Sequence, residues 1–305
     1  MATKSTKRTK STHATPSSLT SELIVITGAS AGIGAALARR LSDSGCRLIL
    51  LARREEKLEP LANETGAAYY PVDLSDLEAV ANVCTRILAE HGTPDILINN
   101  AGSGRFLSIE ETSPKEAREQ MALPYFAAFD MTRGLIEPML ARGSGTIFQI
   151  NSPVAQIAWP GAVGYAAARY AVRGFTEALR QDLHGTGINV GSLTPTRVHS
   201  DYFKANPNSE KRVPKVELLV GTMTPDEVAE AAVHALETKP NKDSNAPWRW
   251  ALSAPIARAI PAPFLWLFRA TGHKRPRGRI AGRVLGRGRR CLLYTSDAAD
   301  DSTEV

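Results

Sequence analysis

Tyr165 and Arg169, in the stretch GYAAARYAVRGF, stand four residues apart. Side chains at that spacing are neighbours on one face of a helix. A phenol beside a fixed cation is suited to proton transfer, because the positive charge stabilises the phenolate left behind. At ~4 Å and an effective dielectric near 20 that attraction is about 4 kcal/mol. A second stretch, TGASAGIG at residues 27–34, is suited to a different task. Gly28 allows a tight turn, while Gly32 and Gly34 let backbone and a helix N-terminus approach a pyrophosphate. The free amides of such a terminus favour that charge.

These residues need a frame, and the chain supplies one from Glu22 onward. The apolar runs ELIVIT, RLILLA, AAYYPVDL, DILINN, GTIFQINS and GINVGSLTP read as strands. Helical patterns separate them, notably over residues 76–91, 113–133 and 164–184. Short continuous apolar strands alternating with helices predict an α/β fold, a mostly parallel sheet covered on both faces. Such a sheet binds its ligand beyond the carboxyl ends of its strands. The glycine-rich turn follows the first strand directly, which is the context a dinucleotide site requires.

TGASAGIG, VDL at 72–74, NNAG at 99–102 and a serine, Ser152, thirteen residues before Tyr165 occur together in order. In this combination the chain, over roughly residues 21–240, resembles the short-chain dehydrogenase/reductase family. The resemblance implies a single doubly wound Rossmann domain and hydride transfer between a nicotinamide cofactor and an alcohol or carbonyl. It implies that Thr27, Gly28, Ser30, Gly32, Ile33 and Gly34 of the first turn bind the cofactor. Asp73 and Leu74 would flank its adenine, and Asn100, Ala101 and Gly102 would pass close to it. Val198 and Ser200, in PTRVHS, would lie near the nicotinamide amide, although the family's usual Pro-Gly and Thr are replaced there. Ser152 would polarise the substrate oxygen and Tyr165 would deliver or take its proton.

Two positions depart from the family pattern. Its lysine, four residues after the tyrosine, is Arg169 here. Its asparagine on the preceding helix aligns with Pro124. Arginine keeps the charge, and its donors can hold ribose hydroxyls. It does not release a proton, and a proline side chain cannot hydrogen-bond a water. Both changes fall on the same proton relay. A rival reading follows, in which the chain binds NADP(H) as a regulatory or scaffold protein with little catalysis.

The cofactor's identity follows from charge. An acid at the end of the second strand would bind the ribose 2′-hydroxyl of NAD and repel a 2′-phosphate. That position holds Ala52, followed by Arg53 and Arg54. Arginine suits a phosphate bidentately, so Arg53 predicts NADP(H), with Arg54 read as the start of a solvated helix.

Composition limits the partners. The formal charge is +6, yet residues 21–268 hold 24 basic and 27 acidic side chains. The basicity belongs to the ends, so the body is not built for nucleic acid. Cys46, Cys84 and Cys291 fit neither a disulfide framework nor a zinc site, and the cytoplasm is the expected location. No metal is expected. Residues 1–20 read as a disordered basic tail, 21–252 as the cofactor-binding domain and 253–290 as a basic, partly helical extension. The extension has two readings, an interfacial helix on anionic lipid or a cover over the substrate site. Residues 291–305 switch to acidic, look like adapter read-through and are given no role. Trp159, Tyr202 and Phe203 fall near a substrate mouth and imply an apolar alcohol or ketone, with core packing an equal reading for Trp159. The small face of Ala166, Ala167, Ala171, Gly174 and Ala178 suits a homodimer or homotetramer.

Overall fold

The apolar runs form strands β1 Leu23–Thr27, β2 Arg47–Ala52, β3 Ala68–Pro71, β4 Ile96–Asn99, β5 Gly145–Ile150 and β6 Ile188–Pro195. A seventh, β7 Asp243–Ala246, completes one sheet in the order β3-β2-β1-β4-β5-β6-β7. Every neighbouring pair is parallel. The computed structural model describes residues 19–274 except Asp201 and Pro207. The helices are α1 Gly32–Asp43, α2 Glu55–Thr65, α3 Leu77–His91, α4 Pro114–Met121, α5 Ala127–Arg142 and α6 Val163–Asp182. After them come the short α7 Tyr202–Ala205, then α8 Pro225–Thr238, α9 Trp248–Ala259 and α10 Pro261–Thr271.

Strand side chains alternate between the two faces of a sheet. Ile24 and Ile26 of β1, with Ile96 and Ile98 of β4, therefore join one apolar cluster under α1 and α8. Leu23, Val25 and Leu97 point the other way, into a cluster closed by Ile87 of α3 and Met131 and Leu135 of α5. Burying each such side chain is worth about 1.5–3 kcal/mol. Two covered faces explain why the strands read as continuous apolar runs. A third cluster joins Phe106, Trp159 and Tyr165 to Trp250 and Ala254 of α9 and Phe268 of α10.

The expected parallel Rossmann sheet is what the chain forms, with four local differences. The helix expected over 113–133 is interrupted by a π-helical turn, Ala122–Phe126, that holds the buried Pro124. Proline has no N–H to continue the regular ladder, and the wider turn accommodates it. The strand β7 was not expected, because DSNA is polar and lies at the sheet's edge. The domain end expected at 252 falls inside α9, and the compact unit runs on to His273. Leu19, expected in a disordered tail, is buried in the first cluster, and Cys46 Sγ donates to its carbonyl at 3.2 Å. Residues 1–18 and 275–305, with the rest of both expected tails, lie outside the described residues.

Candidate active site

The turn after β1 is locked to the end of β4. The Thr27 hydroxyl accepts from the amides of Asn100 and Ala101, both at 3.0 Å. Asn100 Nδ2 donates back to the carbonyls of Thr27 and Gly28 at 2.9 and 3.2 Å. Gly28 has φ +67°, and a Cβ there would stand 2.8 Å from Ala101 Cα. Only glycine fits. The N-termini of α3 and α8 are capped by the side chains of Asp76 and Thr224, whereas α1 begins after Ala31 with no side-chain cap. Its first amides are left for another acceptor.

A cleft of about 690 Å³ runs along the carboxyl ends of the strands, where the fold predicts a ligand. Its lining includes Gly28, Ser30, Gly32 and Ile33, together with Arg53, Leu74, Asn100, Ala101 and Gly102. It also includes Ser152, Tyr165, Arg169, Val198 and Ser200, with Ser200 beside Gly32 and Arg169 beside Gly102. Three expected site residues stand behind this lining. Thr27 and Gly34 hold the turn, and the Asp73 carboxylate accepts from the Ser75 hydroxyl at 2.7 Å and faces Arg53 Nη1 at 3.7 Å. Arg54 does more than begin a solvated helix. Its Nη2 donates to Ser30 Oγ at 3.3 Å, and it lines the cleft with Lys57. The signal was present in the sequence, since Arg54 follows Arg53 directly.

In the same cleft, α6 carries Tyr165 and Arg169 one turn apart, and both are buried. The guanidinium carbon lies 5.3 Å from the Tyr165 ring centroid, a cation over a π face. Arg169 Nη1 donates to the Ile150 carbonyl at 3.1 Å, and Asn151 Nδ2 donates to the Arg169 carbonyl at 3.3 Å. Two bonds thus tie α6 to the end of β5, where Ser152 begins the next turn. The guanidinium also fills the space over Gly102, where any Cβ would collide with it. Tyr202 stands against Tyr165, its hydroxyl hydrogen-bonded to the Gly104 carbonyl at 2.5 Å. Burial first, and then the neighbouring Tyr165, push the Tyr202 phenol well above its ordinary value. It stays neutral, a donor.

Several polar atoms here lack a protein partner, among them Arg169 Nε, Thr196 Oγ1, Trp159 Nε1 and Glu217 Oε2, all from residues of the cleft. Burial pushes Glu217 from 4.5 up to about 7, against the opposing pull of Arg197. Gln120 is also buried without a partner for either amide atom, one turn before Pro124 and beside Gly104 and Gly164. Among the described residues no group of three His, Cys, Asp or Glu could hold a metal. Burial pushes the free thiol of Cys46 up to about 11 and that of Cys84 up to about 12, which makes both poor nucleophiles.

The sequence matches the short chain dehydrogenase family over residues 22–211. This chain belongs to that family. It is 33% identical to the Drosophila melanogaster dehydrogenase/reductase SDR family protein 7-like over 72% of this chain and 71% of the relative. It spans 57 to 62% of the length of several further relatives. Its fold is similar to a short-chain dehydrogenase from Streptomyces avermitilis, with TM-score 0.69, 28% identity, and 80% and 95% of the two chains covered. It is also similar to a serine dehydrogenase complexed with NADP+, with TM-score 0.66, 27% identity, and 73% and 94% covered. Short-chain dehydrogenases are oxidoreductases that bind a nicotinamide dinucleotide. The residues present here fit that group. The uncapped α1 terminus suits its pyrophosphate, and the unpartnered Arg169 Nε and Thr196 Oγ1 offer hydrogen bonds farther along the cleft.

Proposed function

We propose that this short-chain dehydrogenase interconverts an alcohol and a carbonyl on an apolar substrate, using NADP(H). The observation that carries the reading is the single cleft joining an uncapped, glycine-rich helix start to a buried Tyr165 with its cation. In reduction, the Ser152 hydroxyl donates a hydrogen bond to the substrate carbonyl oxygen, and Tyr165 gives that oxygen its proton. In oxidation Tyr165 takes the proton back. Arg169 stabilises the phenolate in either direction and, through its bond to Ile150, keeps α6 in register with Ser152. The nicotinamide, when bound, supplies or accepts the hydride. Phe106, Trp159 and Phe203 make the substrate end apolar.

Preference for the phosphorylated cofactor rests on Arg53, Arg54 and Lys57 lining one end of the cleft, with Ala52 where an acid would stand. The complex of the similar serine dehydrogenase with NADP+ supports it. Calorimetry should give NADPH at least about tenfold tighter binding than NADH, the worth of one charge-assisted hydrogen bond. Arg53→Asp should abolish that margin, and loss of absorbance at the reduced-nicotinamide band should follow turnover of apolar ketones. Equal affinities would refute the cofactor assignment. Binding without turnover on any ketone would favour the rival regulatory reading.

Two surfaces extend the proposal. On α6, Ala167, Gly174 and Ala178 are exposed beside Tyr170, and on the chain before it Phe126 and Phe129 are exposed as well. A face so small and apolar suits a second copy. Along α9, Trp248, Leu252 and Ile256 repeat every four residues on an exposed stripe that continues through Ile260 to Trp266 of α10. The opposite sides of these helices bury Trp250, Ala254 and Phe268, so the extension covers the substrate end as well as presenting an apolar face. No single helix among the described residues is long and apolar enough to cross a membrane, and α9 and α10 meet at 113°. The stripe and the basic residues after it suit an anionic lipid surface. Sedimentation should show a dimer or tetramer alone and pelleting with phosphatidylserine vesicles. Gly174→Arg, at a position where an added Cβ meets no atom of its own chain within 4 Å, should give a monomer. Trp248→Ser with Trp266→Ser should stay in solution with vesicles. An oligomer from Gly174→Arg would sink the first surface, and vesicle-independent behaviour the second. The free thiols of Cys46 and Cys84 accord with the cytoplasmic location, which stands as part of the same proposal.

A further inference from the structure

Glu217 has no use in the chemistry above, yet it lies inside the cleft. It belongs to the turn Lys215–Leu219, between Val216 and Val220, which both pack on the third apolar cluster. Its side chain is nearly out of solvent, with the residue 6% exposed. The backbone amide of Arg197 donates to the carboxyl, but Oε2 has no partner. Among the described residues, no cation forms an ion pair with it. The Arg197 guanidinium bonds to Glu210 and lies over Phe203 at 5.3 Å. A buried polar oxygen left unpaired is costly, and natural chains seldom keep one without a partner.

We propose that Glu217 determines specificity at the far end of the substrate, accepting a hydrogen bond from a hydroxyl that an otherwise apolar substrate carries away from its reacting carbon. This rests on the oxidoreductase reading of the same cleft. The cleft that Glu217 lines has an apolar wall that includes Phe106, Trp159, Phe203 and Val213. Trp159 Nε1 is the other unpartnered polar atom of that wall. Both residues adjoin α10, Trp159 by stacking on Phe268 and Glu217 through its turn. A hydroxyl donates to the carboxyl oxygen without adding charge. An ammonium group cannot accept, and it would add to the positive charge of Arg169 and Arg197 already in the cleft. Discrimination at such a site exceeds what apolar contact gives, because an analogue without the hydroxyl leaves the buried oxygen unpaired.

The test uses three ketones of one shape: 4-cyclohexylcyclohexanone and its far-ring 4-hydroxy and 4-amino derivatives. Calorimetry on the full chain, with and without NADPH, measures binding independently of turnover. The hydroxy ketone should bind at least about tenfold tighter than the parent, the worth of one hydrogen bond to a carboxyl. Glu217→Leu should erase or reverse that preference, and Glu217→Gln, which keeps an acceptor, should retain part of it. Equal binding of hydroxy and parent ketones by the unmodified chain would overturn the proposal, and would mean that water alone satisfies Glu217. Tighter binding of the amino ketone would overturn it in favour of a cation subsite. A preference unchanged in Glu217→Leu would overturn it as well. If the preference holds in binding but no ketone is reduced, the subsite stands and the oxidoreductase reading fails. If both ketones are reduced with equal kcat/KM and equal Kd, the reverse is true.

Discussion

Tyr165→Phe should lower turnover by about 10²–10⁴-fold, the contribution of a positioned proton donor, while NADPH binding survives. The ring keeps its contact with Phe106, at 4.8 Å between centroids, so folding is not at stake. Arg169→Met should remove activity by about 10²–10³-fold, the scale of one group that stabilises developing charge in a buried site. Arg169→Lys should stay within about tenfold of the unmodified chain, since the charge remains although the fork is lost. Arg169 has no carboxylate partner among the described ion pairs, so its removal strands no buried anion. Kinetics of the purified variants, with thermal melts as the folding control, decide the matter. Full activity in Tyr165→Phe would show that the proton comes from elsewhere, and an unaffected Arg169→Met would make the arginine a bystander.

Glu217→Gln should stabilise the chain more at pH 8 than at pH 5. The folded carboxyl is pushed up to about 7, while its ordinary value is 4.5. Between those values the folded chain holds a proton that the unfolded chain has lost. Stability contributed by that proton is present in full below the unfolded value and drains away as pH rises through about 7. Glutamine does not titrate, so the gap between variant and parent should widen by about 2–3 kcal/mol over that range. Urea unfolding at the two pH values reads the gap directly. A difference independent of pH would mean that the carboxyl is solvated in solution. A gap that widens as expected would mean that the same group bears both a cost in stability and a gain in recognition.

How much of this was legible beforehand depends on whether the signal is local. The glycine turn, the apolar strands and the spacing of Ser152, Tyr165 and Arg169 are written in consecutive residues, and the cleft gathers them. Strand β7 was hidden because its polar residues pair by backbone at an edge, where no apolar pattern is needed. Glu217 was hidden for a related reason. A glutamate in KVELL looks like any solvated turn, and its burial depends on segments distant in sequence, among them α10, which packs on the turn. Pro124 stands out in the sequence as a departure, but the π-helical turn that houses it depends on backbone geometry that residue type does not reveal. The pairing of Arg54 with Ser30 needed two separate strand ends brought side by side.

The strand order also bears on how the chain is made. Each strand emerging from synthesis finds an edge already in place: β2 on β1, β3 on β2, then β4 on the other side of β1, and β5, β6 and β7 outward in turn. No strand must wait for a later one, so long-range pairing, ordinarily slow, is reduced to successive additions at a growing edge. The turn after β1, Asn100 and Tyr165 are all set before β6 is made. The segment 202–271, which carries Tyr202, Glu217 and the covering helices α9 and α10, comes last. Changes in that late segment are tried against a dinucleotide half already assembled, so the choice of substrate can drift without the scaffold having to be rebuilt.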